Sequence, residues 1–325
     1  SNETYTISIA AGAYSDSIGN TNIVSNDFVL THNSSIPILT IAASDGPNAV
    51  VTGSTTNGST LTLTFTTSTS TTNFAGTDII VKNSADTDVS NLLSNFTGVS
   101  GTEYHAEITT TSAETYTITV AAGAFSDSLG NVNAETVFTW SYENVRPTMN
   151  ISAEGSSPIS ASGTTTNDQA ITLKFTASEA LIGFDVSDIT VNAGTLSNFV
   201  SVSTSVYTAL LTATDSSVNA TSYTVDVAVG AFTDINGNSN DIQATQYTWT
   251  CDRVLPVLTI TAVSDGGGAV TSGSTTNDGG LTLTFTSTKA TTTFTELADI
   301  SISGGELNAF NATSSTVYTA IFSPS

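Results

Sequence analysis

The residues best suited to chemistry in this chain are oxygen ligands that recur at a fixed spacing. Asp16 is followed by Gly19, Asn20 and Asn22; Asp127 by Gly130, Asn131 and Asn133; Asp234 by Gly237, Asn238 and Asn240. Each set opens on Gly-Ala-aromatic, at Gly12, Gly123 and Gly230. Carboxylate and amide oxygens gathered in one short loop are what a calcium ion binds. The same letters also close a loop without metal, because Asp and Asn accept hydrogen bonds from their own backbone and glycine supplies positive φ. Both readings stand at the level of sequence. The third copy is the densest, adding Asn236 and Asp241, and the acids Glu143 and Asp252 lie in segments that lead from one repeat to the next. The calcium candidates are therefore Asp127, Asp234, Asp241, Glu143 and Asp252. The sequence requires no cofactor, and calcium is the one it suggests.

Catalytic chemistry has little to draw on. His32 and His105 are the only histidines and sit at non-equivalent places in the repeat, and Cys251 is the only cysteine. His32, Tyr142 and Cys251 share one repeat position, read here as part of a linker, while His105 falls on the polar phase of a strand. No Gly-x-Ser-x-Gly, His-x-x-x-His, phosphate loop or dinucleotide fingerprint occurs. The expectation is that the chain is not an enzyme and has no catalytic residues. A lone cysteine forbids an intramolecular disulfide. A net charge of −23, from 28 acidic against 5 basic residues, repels phosphate backbones, so nucleic acid is excluded as a partner. No apolar run of membrane-spanning length occurs, which argues against direct membrane insertion of this segment. Asn33, Asn57, Asn95, Asn150, Asn219 and Asn311 sit in Asn-x-Ser/Thr sequons, usable for glycosylation in a secreted eukaryotic protein. With Ser and Thr at roughly a third of all positions, chance alone supplies sequons in that number.

The elements that position these residues repeat with them. Pro37, Pro147 and Pro256, the pairs Thr56-Asn57, Thr166-Asn167 and Thr276-Asn277, and Phe65, Phe175 and Phe285 all recur at about 110 residues. Tyr5-Thr-Ile7-Ser-Ile9, Tyr116-Thr-Ile118-Thr-Val120 and Tyr223-Thr-Val225-Asp-Val227 alternate apolar and polar, as a strand with one buried face does. Each runs through the glycine loop into a second strand, at Phe28, Phe138 or Tyr247, giving a long-looped hairpin that carries Trp140 and Trp249. Further strands are predicted at Leu39, Leu61, Ile79, around Phe96, and at Tyr104, with equivalents downstream that include one from Asp299 to Ile302. The fold class is all-β: tandem Ig-like antiparallel β-sandwiches of about seven strands each, arranged end to end. The boundaries are 1–33, the C-terminal hairpin of an incomplete module; 34–143 and 144–252, complete modules; and 253–325, a module lacking its last two strands.

The stretch Lys174-Phe175-Thr-Ala-Ser178-Glu179-Ala, with Asp188-Ile-Thr-Val191, Gly194-Thr-Leu196, Tyr207-Thr-Ala209 and Gly230-Ala-Phe-Thr-Asp234-Ile-Asn-Gly237-Asn238, resembles the bacterial Ig-like repeats of large surface adhesins. The stretches after Phe65 and Phe285 turn Thr-rich and depart from the Ser-Glu-Ala pattern. The resemblance implies an extender: serial sandwiches forming an extracellular or cell-surface stalk, fibre or filament, sometimes with calcium stiffening the joints. An adhesin module that recognises a glycan or protein through its loops is the alternative. Expected partners are neighbouring modules or copies of the same protein, head to tail. The partial pieces at 1–33 and 253–325 fit two situations, a window on a longer continuous chain or completion of one copy's open sandwich by the hairpin of the next.

Overall fold

A computed structural model describes residues 2–71, 73–154, 161–295 and 299–325. Strands β1 (Asn2–Ile7) and β2 (Phe28–Asn33) form an isolated antiparallel hairpin. The next strands are β3 (Leu39–Asp45), β4 (Asn48–Val50), β5 (Ser54–Thr56), β6 (Thr60–Thr67), β7 (Ile79–Lys82), β8 (Leu93–Gly98), β9 (Glu103–Thr109), β10 (Thr115–Val120) and β11 (Thr136–Tyr142). They make two sheets, ordered β4-β3-β6-β9-β8 and β5-β11-β10-β7. A second set follows: β12 (Met149–Glu154), β13 (Thr164–Thr166), β14 (Ala170–Ala177), β15 (Leu181–Ile182), β16 (Ile189–Val191), β17 (Thr195–Ser201), β18 (Val206–Thr212), β19 (Thr221–Val227), β20 (Thr233–Asp234) and β21 (Tyr247–Cys251). Its sheets are β12-β14-β18-β17 and β13-β21-β19-β16, with a small β15-β20 pair. The last strands, β22 (Leu258–Ser264), β23 (Ala269–Val270), β24 (Leu281–Ser287), β25 (Gly305–Ala312) and β26 (Val317–Pro324), form one sheet ordered β23-β22-β24-β26-β25.

Period-2 alternation explains which face each strand buries. In β6, Leu61, Leu63 and Phe65 are fully buried while Thr60, Thr62 and Thr64 point to the opposite face. Each such apolar side chain contributes about 1.5–3 kcal/mol when it leaves water. One core draws Leu61, Leu63 and Tyr104 from the first sheet and Tyr116, Phe138 and Trp140 from the second. A separate core does the same with Leu173, Phe175, Tyr207, Tyr223 and Trp249. The cores share no residue, so each sandwich is closed on itself.

The short strands β5 and β13 were not legible as alternations. They lie parallel to β11 and β21, and their threonines satisfy the buried indoles: Trp140 Nε1 donates to Thr56 Oγ1 at 2.9 Å, and Trp249 Nε1 to Thr166 Oγ1 at 3.1 Å. The recurrent Thr-Asn landmark thus has a structural cause, since a buried N–H without an acceptor is costly. The same pairing lengthens β11 and β21, so Tyr142 and Cys251, assigned above to linkers, are in-strand and buried.

A second difference concerns residues 300–302, where a strand was expected and none forms. Its equivalents β7 and β16 are held by β10 and β19. The last sheet has no counterpart of β10 beside it among the described residues.

Candidate functional site

Each glycine loop closes on its own side chains in the same way. Asp127 Oδ1 accepts from the backbone N–H groups of Leu129 and Asn131, both at 2.9 Å, and Asp127 Oδ2 accepts from Asn131 Nδ2 at 3.0 Å. Asn133 spans the loop: its Oδ1 accepts from Phe125 N at 2.9 Å, and its Nδ2 donates to the carbonyls of Ala121 and Ala134 at 2.8 Å each. Asp234 with Asn238 and Asn240, and Asp16 with Asn20 and Asn22, repeat this pattern. Gly130, at φ +87°, takes the left-handed conformation that the tight return requires. The loop letters are therefore used in turn chemistry. The exposed Asp16 loop adopts the geometry without a second sheet to lean on.

The joints bring the loops against the preceding linkers. Asn131 Nδ2 donates to Asn33 O at 3.3 Å. At the next joint Glu143 Oε2 accepts from Asn238 Nδ2 at 2.6 Å and Asn236 Nδ2 at 3.2 Å, and its Oε1 accepts from Val145 N. Arg146 reaches the same loop, donating to Ser239 O and pairing with Asp241 at 3.6 Å. Burial pushes the Asp234 carboxyl up, but the Asn238 side chain and the backbone N–H groups of Asn238 and Asn236 outweigh it and leave the group below the ordinary aspartate range. Glu179 is shifted the other way, raised by burial and then by the charges of Asp234 and Glu143. Among the described residues none of these three acids has an ion-pair partner. At the following joint Asp252 pairs with Lys289 at 2.5 Å. Lys289 occupies the repeat position of Glu179, and the first module has Thr69 there.

Comparison with known proteins places part of this architecture. The family model described as bacterial Ig-like domain matches residues 143–250. Those residues are similar to that family. The I9–I11 tandem from titin aligns with 84% of this chain and 86% of its own at 10% identity, with a TM-score of 0.27. The C-terminal domain of the Streptococcus agalactiae AgI/II polypeptide BspA aligns with 66% of this chain and 99% of its own at 11% identity, with a TM-score of 0.25. At these scores neither superposition bears on role. No curated protein matches the chain in sequence.

The remaining candidates fall apart in space. Cys251, at the end of β21, is fully buried, with its Sγ 3.0 Å from Ser216 Oγ and 3.0 Å from Asp168 O. His105 bonds Glu103 at 2.9 Å on an outer strand face, and His32 lies exposed in β2. Among the calcium candidates, Asp241 and Asp252 already have cationic partners, Asp127 is engaged by its own loop, and Glu143 and Asp234 both accept from Asn238 Nδ2. Glu179 was not assigned from sequence, and the charges of Asp234 and Glu143 act on it. Among the described residues no group of three His, Cys, Asp or Glu side chains is placed to share one ion. Of the sequon asparagines, Asn57, Asn95, Asn150, Asn219 and Asn311 are exposed, Asn33 is half-buried, and Asn95 Nδ2 donates to Glu107 Oε2. No helix among the described residues is long and apolar enough to cross a membrane.

Proposed function

We propose that this chain is a structural, non-catalytic spacer: a segment of an extracellular or cell-surface stalk, fibre or filament in which complete modules at 34–143 and 144–252 stand in series. The observation that carries the reading is the joint, where Glu143 and Arg146 of one linker both engage the loop of the following sandwich while the two cores remain separate. A linker clamped onto the next loop sets spacing and angle without a shared apolar interface. Strands of up to 8 residues rising ~3.3 Å each, with the loops at both ends, make a module about 35–45 Å long, so two in series span about 70–90 Å. Small-angle scattering on residues 34–252 is expected to give a maximum dimension in that range. A compact side-by-side particle would refute the spacer reading.

A second reading concerns calcium and rests on the uncompensated acids at the middle joint. Glu143 and Asp234 supply carboxylates of the kind that calcium takes, with Asn236 and Asn238 beside them. Their oxygens are partly occupied by amide donors as placed, so an ion would displace those donors. When bound, calcium would supply positive charge between like-charged groups, while these residues orient the linker on the loop. Calcium is expected to raise the thermal midpoint of residues 34–252, with Glu143→Gln removing the effect. Identical melting in calcium and in chelator would refute it.

A further inference from the structure

The chain contains two Asn-Gly dipeptides, Asn57-Gly58 and Asn236-Gly237, and the fold sets them against each other across the middle joint. Asn57 follows β5 in the first module, while Gly237 belongs to the glycine loop of the second. A Cβ added to Gly237 would stand 3.3 Å from Asn57 Nδ2, so the amide of one dipeptide packs on the glycine of the other. An open cavity of about 290 Å³ lies beside them, with Asp45, Asn48, Asn57 and Asn236 in its wall. Asparagine is a chemically labile residue, and a following glycine adds to that, having no Cβ to keep its nitrogen away from the side-chain amide carbon.

The two dipeptides are held very differently. Asn236 N donates to Asp234 Oδ1 at 2.8 Å, Asn236 Nδ2 donates to Glu143 Oε2 at 3.2 Å, and Gly237 N donates to Asp234 O at 3.3 Å. The nitrogen that would attack is occupied, and the amide that would leave is tied down. Asn57 is exposed, and among the described residues neither its side-chain amide nor the N–H of Gly58 makes a hydrogen bond. Gly58 does not have the positive φ of the loop glycines. What glycine permits there is the close approach of Asp45, since a Cβ would lie 2.1 Å from Asp45 Oδ2 and 2.3 Å from its Cγ. The packing of Asp45 thus holds a reactive pair in place. In the other modules the residue after the equivalent asparagine is Asp168 or Asp278, whose side chains hinder ring closure.

We propose that Asn57 is a modification site at which the folded chain converts itself to aspartate or isoaspartate, and that the conversion loosens the middle joint. Gly58 N gives its proton to solvent and bonds to Asn57 Cγ, while the Cγ–Nδ2 bond breaks and ammonia leaves by the open cavity. Water then opens the five-membered ring. Attack at Cγ leaves aspartate in an ordinary backbone, and attack at the former peptide carbonyl leaves isoaspartate. The balance is amide plus water giving acid plus ammonia, with nothing oxidised or reduced. Either product gains a carboxylate at the face that met Gly237. Glu143, whose N donates to Thr56 O at 3.0 Å, and Asp234 belong to the same joint and have no ion-pair partner among the described residues. The added charge is therefore repelled by charges already there. The loosening rests on the spacer reading, and the conversion itself does not.

The test incubates the 325-residue chain at mildly alkaline pH, which favours loss of the Gly58 proton, and follows its proteolytic peptides by mass spectrometry. The peptide holding Asn57 is expected to gain the mass of an –NH2 to –OH exchange and to separate into two chromatographic forms. The peptide holding Asn236 should stay unchanged over the same period. In concentrated urea, where the hydrogen bonds of the Asp234 loop are gone, both peptides should convert at similar rates. Asn57→Gln, which would have to close a larger ring, should stay unconverted at that position in the folded chain. A folded chain in which Asn57 is inert, or in which Asn236 converts as fast, overturns the proposal. The joint is read by amide exchange at Glu143, in the converted chain and in Asn57→Asp. It should quicken by about 2- to 13-fold, as the loss of one hydrogen bond of about 0.5–1.5 kcal/mol requires. Conversion that leaves this exchange unchanged overturns the loosening. None of these outcomes disturbs the spacer reading, which the scattering of residues 34–252 decides separately.

Discussion

Replacing Asn133 by alanine isolates the contribution of the loop side chain that spans the hairpin. Asn133 is 2% exposed, and its amide satisfies Phe125 N, Ala121 O and Ala134 O. Ala134 is at the surface, so water replaces the lost donor there at little cost, whereas Phe125 is buried. Leaving its N–H unpaired costs about 1–3 kcal/mol, and the weakened Ala121 contact adds about 0.5–1.5 kcal/mol. A total of about 1.5–4.5 kcal/mol, at a mid-range urea slope of about 2 kcal/mol per M, lowers the unfolding midpoint by roughly 0.8–2.3 M. Each complete sandwich carries one buried tryptophan, so the assay can be made module-specific. In a Trp249→Phe background, Trp140 fluorescence reports the first sandwich, and Asn133→Ala should move that transition. In a Trp140→Phe background, the Trp249 transition should stay where it was. A Trp140 shift below about 0.3 M would refute the accounting for the buried N–H. Equal movement of both transitions would refute the independence of the cores.

Three other outcomes follow from the same geometry. The Asp127 carboxyl is held below the ordinary aspartate range, first by the Asn131 side chain and, against burial, by the backbone N–H groups of Asn131 and Leu129. Its contribution to loop order is therefore complete above the ordinary aspartate pKa and is lost as pH falls through the lowered value. Amide exchange at Leu129 and Asn131 should quicken over that acid window, and Asp127→Asn should abolish the dependence; exchange that is flat with pH would contradict it. Glu179 titrates above the ordinary glutamate range, so its ionised form opposes folding as pH rises through the raised value. Glu179→Gln should raise the thermal midpoint at neutral pH in chelator and leave it unchanged in acid, and a lowered neutral midpoint would count against the crowding of acids. Cys251, fully buried, should resist an aqueous thiol reagent until the sandwich of residues 149–251 unfolds, which rapid labelling of the native chain would disprove.

The long strands were legible because each carries its own period: in Leu61-Thr-Leu63-Thr-Phe65 the alternation alone fixes the buried face. β5 was not, because Ser54–Thr56 contains no apolar residue and exists only through parallel pairing with a strand more than eighty residues away. Residues 300–302 failed in the opposite sense. They read as a strand, but a strand needs a neighbour, and the one that holds β7 has no counterpart beside this sheet among the described residues. At the joints, the meeting of Glu143 with the Asp234 loop was foreseeable from the repeat frame. The switch from Glu179 to Lys289 at one repeat position was visible as a departure from pattern. Its meaning emerged only when that position was seen to face the linker acid.

The parallel seating of β5 on β11 has a mechanical consequence. A pull between the two strands draws β11 toward its C-terminal end and β5 toward its N-terminal end. Because the strands run the same way, those pulls oppose one another along a common axis, and the contacts Trp140↔Ser54, Ser141↔Thr55 and Tyr142↔Thr56 are sheared together. An antiparallel hairpin pulled from its open end unzips one rung at a time under a small force. A segment as short as Ser54–Thr56, unremarkable in sequence, thus sets its three pairs with β11 in shear rather than unzipping geometry for any pull between the two strands.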